Sequence, residues 1–325
     1  MDGQSLSAKD AGLAPNAWLE RIGVRPDALN APVFAEEYPF AFRLCDVGGE
    51  MYHYLDEGGG EPVVMVHGNP TWSFFYRNIV GGLRNSYRCL VPDHIGCGLS
   101  SKPQRYDYTL ARHAANLESW LEGVLPAPSE EGGRINLVVH DWGGPIGLSY
   151  AIRHPERIKR VVVLNTSAFT LGTMPLRIMS CRWPVLGEFM VRGLNLFASL
   201  ATTSTTVKPL AKEVRDGFIL PYNSWANRIG VYNFVKDIPL RAGTKTHALF
   251  QTLEERIAPL LNSVPLLVQW GMRDWCFTPY FLNIWRERFP RAEIDEYPNA
   301  AHYLLEDEGA AILAKIRAFL ERPVQ

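Results

Sequence analysis

One carboxylate stands directly after an apolar run, at a place where a sharp strand-turn-helix connection would present it for chemistry. Asp141 follows the strand-like residues 135–139 and His140, and Gly143 lies two residues after it. A small residue there lets the chain turn sharply, which exposes the side chain above a sheet and beside a backbone N–H. An aspartate in this position predicts nucleophilic attack on an alkyl carbon or a strained ring, through an enzyme-bound ester.

A reaction of this kind needs a base and a group that orients it, and candidates for both occur downstream. Asp274 lies three residues past the strand-like run 265–271, and His302 follows the strand-like run 293–297 by five residues. Open parallel sheets gather their reactive groups at the carboxyl ends of the strands. A single Asp or His there is more often a cap, turn or core residue. The order nucleophile, acid, histidine nevertheless predicts that Asp274 orients His302, which acts as the base.

A second motif, at residues 67–72, follows the strand-like run 63–66. In connections of this kind, that loop supplies a backbone N–H to an oxyanion hole. Asn69 adds a side-chain amide donor, and Trp142 adds an indole N–H that can only donate. Taken singly, a turn asparagine and a packing tryptophan are equally good interpretations. Because the two residues flank Asp141 from both sides, they predict a pair of donors that holds a departing anion.

The composition agrees with one cytoplasmic enzyme. The chain has 325 residues, 47% of them hydrophobic, and a net charge of −1 without a basic block, which argues against nucleic acid and anionic membranes as partners. Its 5 cysteines are scattered without metal-like spacing and are interpreted as reduced thiols. No signal peptide or spanning apolar run is evident. The predicted chemistry requires no metal or organic cofactor.

The elements that must position these residues alternate along the chain. Strand-like and helical patterns follow one another at residues 63–66, 72–83, 88–91, 109–125, 135–139, 144–153 and 161–164, after a hairpin at residues 40–46 and 51–55. This alternation predicts helices on both faces of a mostly parallel sheet.

The alternation stops at Asn165, and the chain from about residue 167 is helical and aromatic until strands resume near residue 265. We therefore predict an N-terminal arm over residues 1–38, a main domain over residues 39–166 and 241–325, and a helical cap over residues 167–240. The uncharged stretch 193–207 of the cap is interpreted as core packing or as an exposed patch for self-association.

These motifs resemble the haloalkane dehalogenases of the α/β-hydrolase superfamily. The matching segments are residues 67–72, 91–103, 138–144, 270–274 and 301–307, within a resemblance that covers residues 40–320. The resemblance implies an α/β-hydrolase fold with an eight-stranded sheet and an inserted cap. It also implies that Asp141 displaces halide from a haloalkane, that Asn69 and Trp142 bind the halide, and that His302, oriented by Asp274, activates water to release an alcohol.

The position of the acid distinguishes branches of that family. One branch places the acid after the sixth strand, where this chain has Asn165. This leaves Asp274, and its combination with Asn69 is similar to the third subfamily. Ala301 stands where these proteins usually have glycine, a small departure that should leave the base in place.

That third subfamily is similar to the β-lactone decarboxylases of bacterial long-chain olefin biosynthesis, which resemble this chain in the cap at residues 220–229 and 234–240 as well. In such an enzyme Asp141 would open a strained lactone, and the donor pair would hold a carboxylate. N–H donors discriminate poorly between departing anions, so the shape of the cap must decide. The sequence interpretation favours the dehalogenase, with the decarboxylase as the alternative.

Other functions rank lower. An epoxide hydrolase would need a cap tyrosine, Tyr222 or Tyr232, as its acid. A serine esterase lacks its nucleophile in this sequence. A non-catalytic receptor on the same fold would be expected to tolerate loss of a triad member, and here all three are present.

Overall fold

The alternating strands and helices build one mixed sheet that is covered on both faces. A computed structural model describes residues 14–29, 32–170, 174–240 and 242–324. Its strands are β1 (Arg43–Val47), β2 (Glu50–Glu57), β3 (Pro62–Val66), β4 (Arg88–Pro92), β5 (Ile135–His140), β6 (Ile158–Leu164), β7 (Leu266–Gly271) and β8 (Glu293–Tyr297). They lie in the order β1-β2-β4-β3-β5-β6-β7-β8 in an 8-stranded sheet. The predicted α/β fold is therefore confirmed.

The register of the parallel strands brings their carboxyl ends together. The pairs β1–β2 and β2–β4 are antiparallel, and every later pair from β4 to β8 is parallel. His140 pairs with Leu164 across β5 and β6, and Leu164 pairs with Gln269 across β6 and β7. The residues that follow β5, β6 and β7 consequently enter neighbouring loops at one edge of the sheet.

The helices of the main domain cover the two faces of this sheet. They are α4 (Arg77–Leu83), α5 (Leu110–Val124), α6 (Gly143–Arg153), α12 (Lys245–Leu261), α13 (Pro279–Arg288), α14 (Leu304–Asp307) and α15 (Gly309–Leu320). Alternate residues of a strand point to opposite faces. Val64 and Val66 accordingly belong to a core with α5 and α6, whereas Val63 and Met65 belong to a second core with α4 and α15.

Short helices connect β6 to α12, in the stretch that the sequence predicts as a cap. They are α7 (Leu176–Ser180), α8 (Leu186–Glu188), a π-helical turn at Phe189–Gly193, α9 (Leu196–Ser204), α10 (Lys212–Ile219) and α11 (Ile229–Asp237). The described residues of this stretch include no strand. The domain boundaries themselves remain predictions.

Three short helices precede the sheet, α1 (Pro15–Arg21), α2 (Pro26–Leu29) and α3 (Pro32–Glu37). Within the predicted arm, Trp18 is buried and its indole N–H donates to the carbonyl of Leu99 at 2.8 Å. The described part of the arm is thus packed against the main domain, and residues 1–13 lie outside the described residues. Among the described helices, none combines the length and the apolar character needed to cross a membrane.

Candidate active site

Asp141 lies in the sharp turn between β5 and α6. Its φ of 49° is uncommon for a residue other than glycine. Gly143 begins α6, and a Cβ at that residue would lie 1.9 Å from the carbonyl oxygen of Val66. Only glycine permits this close approach of helix and strand, which explains the small residue two places after the aspartate.

The structure brings the three predicted members of a triad together, although they are distant in sequence. His302 Nε2 lies 3.6 Å from Asp141 Oδ2, and His302 Nδ1 lies 2.7 Å from Asp274 Oδ2. Asp274 therefore fixes the ring so that Nε2 points toward the nucleophile. His140, the residue before Asp141, donates from Nε2 to the carbonyl of His302 at 2.9 Å and so holds the backbone of the base.

Asp274 is buried, and both of its carboxylate oxygens accept hydrogen bonds. Oδ1 accepts the backbone N–H groups of Cys276 at 2.6 Å and Phe277 at 3.0 Å. Oδ2 accepts the side-chain amide of Asn165 at 2.9 Å, in addition to His302. Asn165 stands at the position of the acid in the other branch of the family, and it supports Asp274 directly.

Sequence reasoning noted Asn165 only because it is not a carboxylate, and missed its hydrogen bond to Asp274. The side chain of Asn165 also bonds the backbone of Gly271 in both directions, with Oδ1 accepting at 2.7 Å and Nδ2 donating at 3.1 Å. Asn165 therefore joins the end of β6 to the end of β7. The sequence feature that indicates this role is the position of Asn165 directly after β6. It follows Leu164, the residue that pairs with His140 across β5 and β6.

Burial and neighbouring charges have opposite effects on the pKa of Asp141, and also on the pKa of His302. Burial raises the pKa of Asp141 above its ordinary value, against the lowering effect of His302 and of the backbone N–H groups of Asn69 and Trp142. Burial lowers the pKa of His302, but the carboxylates of Asp274 and Asp141 outweigh it, so that the pKa of His302 is raised. Both pKa values are thus raised, Asp141 by burial and His302 by its two carboxylate neighbours, and shifted groups of this kind are typical of a reactive site.

The two predicted donors lie at the nucleophile. The backbone N–H of Asn69 donates to Asp141 Oδ1 at 2.6 Å, and its side-chain amide donates to the carbonyl of Val231 at 3.2 Å. An amide carries two N–H groups, so one contact with α11 orients the side chain and the second N–H can serve a ligand. Asn69 and Trp142 both line the same cavity as Asp141. The cap thus orients one of the donors, which the sequence pattern does not reveal.

A large apolar cavity of about 980 Å³ opens above Asp141. Its wall includes Asp141 and His302 at one end, with apolar and aromatic side chains from the cap and from the loop after β7 along the rest. Ligand cavities in proteins span roughly 300–1,000 Å³, so this one lies near the upper limit. It has room for a substrate with long apolar chains.

One cavity residue that sequence reasoning missed is Tyr303, which follows the base directly. It is buried and lines the cavity. Burial, with added effects of Asp141 and Glu306, holds the pKa of Tyr303 well above its ordinary value. The phenol therefore stays protonated and can donate. Nothing in the sequence shows which way this side chain points.

The two tyrosines that an epoxide hydrolase would need are placed differently. The hydroxyl of Tyr222 is buried beside the carbonyl of Thr71, 3.4 Å away. Among the described residues that line the cavity, neither Tyr222 nor Tyr232 is found. The two cap tyrosines on which that alternative depended therefore do not line the cavity.

An aspartate at a strand-turn-helix connection, a downstream acid and histidine, and a parallel sheet with helices on both faces define the alpha/beta hydrolase fold. The family model of that description matches residues 61–309, and the chain belongs to this family. It is an enzyme of that superfamily.

The relatives of the chain carry two kinds of name. A cis-3-alkyl-4-alkyloxetan-2-one decarboxylase of Shewanella oneidensis is 45% identical over 87% of this chain and 89% of its own length. Haloalkane dehalogenase 2 of Mycobacterium tuberculosis is 32% identical over 86% of this chain and 94% of its own. The crystal structure of the haloalkane dehalogenase DatA from Agrobacterium tumefaciens superimposes with a TM-score of 0.76 at 25% identity, covering 86% of this chain and 96% of that one. The resemblance found in the sequence to both groups is confirmed.

Proposed function

We propose that this enzyme is a β-lactone decarboxylase, which converts a cis-3-alkyl-4-alkyloxetan-2-one into an alkene and carbon dioxide. This reverses the preference of the sequence interpretation, which placed the dehalogenase first. The higher identity to a relative with that name, 45% against 32% for the dehalogenase, supports the reversal. The observation that carries the proposal is an aspartate nucleophile at one end of a 980 Å³ apolar cavity, which suits a strained ring with two alkyl chains.

In the first step, an oxygen of Asp141 attacks the ring carbon that bears the ring oxygen. The bond between that carbon and the ring oxygen breaks, and its electron pair leaves with the oxygen as a carboxylate. The product is an alkyl ester of Asp141 that carries the new carboxylate on the neighbouring carbon. Relief of ring strain drives this step, and the N–H groups of Asn69 and Trp142 face the charge that develops.

In the second step, the bond between the carboxylate and the carbon chain breaks and carbon dioxide leaves. The electron pair forms the carbon–carbon double bond, while the ester bond to Asp141 breaks and restores the carboxylate. No water is consumed and no proton is transferred. Inversion during attack followed by anti elimination gives a cis alkene from a cis lactone.

The donor set of the cavity suits a departing carboxylate. A carboxylate presents two oxygens, whereas a halide is a single atom that two N–H donors can hold. Tyr303 lines the same cavity, and the centre of its ring lies 5.9 Å from that of His302. Burial holds the pKa of its phenol well above the ordinary value. We infer that the Tyr303 hydroxyl is a third donor, which binds the second carboxylate oxygen during ring opening.

A second candidate function, the haloalkane dehalogenase, is favoured by the contact between His302 and Asp274 at 2.7 Å. A base oriented in this way is what hydrolysis of an alkyl ester requires. In the decarboxylation sequence above, His302 has no proton to remove. Its place 3.6 Å from Asp141 instead lowers the pKa of the nucleophile against the raising effect of burial.

The test compares kcat/KM for a long-chain cis-β-lactone with kcat/KM for a 1-bromoalkane in one purified preparation, with Asp141→Ala as the blank. We expect the lactone to be strongly preferred and an equimolar amount of cis alkene to appear. A strong preference for the bromide, with alcohol and bromide as products, would instead make this chain a dehalogenase. Turnover by the Asp141→Ala protein would remove the nucleophile from both mechanisms.

A further inference from the structure

One surface of the cap exposes an unusual number of apolar side chains. We call this surface the cap patch and define it by Leu176, Trp183, Val185, Leu186, Phe189 and Leu194, all of which are exposed. Leu176 and Val185 are each 84% exposed, which is close to full contact with solvent. All six lie within residues 176–194, and grouped exposed apolar side chains mark an interaction site more often than scattered single residues do.

The tip of the cap patch is held in a strained conformation. Val185 has φ 61° and ψ −57°, and the N–H of Leu186 bonds the carbonyl of Pro184 at 2.6 Å. This is the γ-turn of the rarer and more strained hand. A β-branched residue is poorly suited to positive φ. Strain at an exposed position does not help to bury a core, so it indicates that presenting Val185 to the outside has a function.

The cap patch borders the mouth of the active-site cavity. The exposed residues that line the cavity are Arg177 and Leu200 from the same cap segment, and Tyr280 from the start of α13. Arg177 directly follows Leu176 of the patch, and its guanidinium lies 5.3 Å from the centre of the Trp275 ring. A long apolar substrate that enters this mouth therefore passes over apolar protein surface.

The charge of this part of the cap differs from that of the whole chain, whose overall balance argued against an anionic membrane as a partner. Residues 174–211 contain four basic side chains, Arg177, Arg182, Arg192 and Lys208, and one acidic side chain, Glu188. Glu188 is itself paired with Arg192 at 2.6 Å. The whole chain carries a net charge of −1. Arg192 is buried and Arg182 is half-buried, whereas Arg177 and Lys208 are exposed. Exposed basic residues in the same segment as exposed Trp, Phe and Leu form the pattern of a surface that lies on an anionic bilayer.

We propose that the cap patch docks this enzyme on an anionic lipid bilayer, with the mouth of the cavity facing the lipid. Leu176, Trp183, Val185 and Phe189 enter the boundary between headgroups and acyl chains, and the exposed Arg177 and Lys208 of the same segment contact the headgroups. A substrate with long alkyl chains then moves from the bilayer into the cavity without crossing water. This docking is independent of which leaving group the active site accepts.

The experiment is flotation of the full chain with phosphatidylcholine vesicles that contain or lack phosphatidylglycerol. The test variant is Leu176→Gln with Val185→Asn, because both side chains are exposed, neither lines the cavity, and asparagine tolerates positive φ. The matched control is Leu176→Met with Val185→Leu, which keeps the apolar surface. We expect the wild type and the control to float with the anionic vesicles, and the test variant to bind them at least about 10-fold more weakly.

Two further measurements separate docking from folding and from catalysis. The test variant should melt at a temperature no lower than that of the wild type, because asparagine relieves strain at positive φ. All three proteins should have the same kcat/KM for a short, water-soluble substrate. Added salt should weaken the binding of the wild type, because the basic residues contribute through charge. Since flotation needs no turnover, its result stands even if the proposed reaction is wrong.

Three outcomes would overturn the proposal. In the first, the wild type fails to float with either type of vesicle. In the second, the test variant floats as well as the wild type, which would place the lipid contact elsewhere. In the third, the wild type associates with itself in sedimentation and the test variant does not, without flotation of either, which would assign the cap patch to a second copy of this chain.

Discussion

Replacing His302 with alanine should separate the two reactions that this site could perform. The substitution removes the ring whose Nε2 lies 3.6 Å from Asp141 and whose Nδ1 lies 2.7 Å from Asp274. Asp274 keeps three other donors, from Asn165, Cys276 and Phe277, at 2.6 to 3.0 Å. No buried carboxylate is left without a partner, so we expect the variant to fold.

The expected loss of rate depends on whether the second step of the reaction, ester hydrolysis or decarboxylation, needs a base. Hydrolysis of an alkyl ester on Asp141 requires an activated water, and loss of a general base costs about 10²- to 10⁴-fold in rate, or about 3–5 kcal/mol. Decarboxylation of the lactone-derived ester requires no base. The variant then loses only the lowering effect of His302 on the raised pKa of Asp141. In alkaline buffer we expect this loss to reduce olefin formation by less than about 10-fold, a factor that corresponds to about 1.4 kcal/mol.

The assay is intact-protein mass spectrometry together with product analysis. With a 1-bromoalkane, the His302→Ala protein should release one bromide per molecule and retain one alkyl group. With a cis-β-lactone, it should form cis alkene over many turnovers without a lasting adduct. Normal turnover of the bromoalkane would refute the role of His302 as base. Stalling with the lactone at a covalent adduct would refute the decarboxylation sequence proposed above.

Two other substitutions test the surroundings of the triad. In the Asn165→Asp variant, a carboxyl replaces the amide whose nitrogen lies 2.9 Å from Asp274 Oδ2. Two carboxylates so close cannot both ionise easily. In the folded variant the pair should therefore hold a proton at a raised pKa. The melting temperature should therefore fall relative to wild type as pH rises from the ordinary carboxyl pKa through that raised value, and a difference independent of pH would show that the contact is wrong. Tyr303→Phe should lower kcat/KM for the lactone by about 10-fold, the worth of a hydrogen bond to a charged group, and leave the bromoalkane within about twofold; an equal loss for both substrates would exclude a role specific to the carboxylate.

The residue pattern of the site does not decide between a halide and a carboxylate as the leaving group. Asn69 and Trp142 present N–H groups, and such donors accept a halide or a carboxylate oxygen with similar geometry. The site motif therefore fits both reactions, and the sequence interpretation placed the dehalogenase first. The higher identity of a decarboxylase, over 87% of the chain, favours decarboxylation. The volume of the cavity and the position of Tyr303 add support that depends on the folded protein.

Local chemistry made part of this site predictable from the sequence. A nucleophile and its turn depend on adjacent residues, so Asp141 with Gly143 could be identified from their spacing. The end of β7 follows from an apolar run, and the end of β8 from a short strand-like run of mixed apolar and acidic residues. These two ends placed Asp274 and His302 at one edge of the sheet. The alternation of strands and helices likewise predicted the α/β fold, because each element carries its own periodicity.

Contacts between distant residues were decided only by the tertiary structure. The bond from Asn165 to Asp274 depends on the register of β6 against β7, and the orientation of Asn69 depends on Val231 in the cap. Tyr222 and Tyr303 have the same side chain, yet only Tyr303 lines the cavity. The sequence states which groups are present, but the direction in which each points is a property of the packed chain, because packing alone sets which side chains share a space.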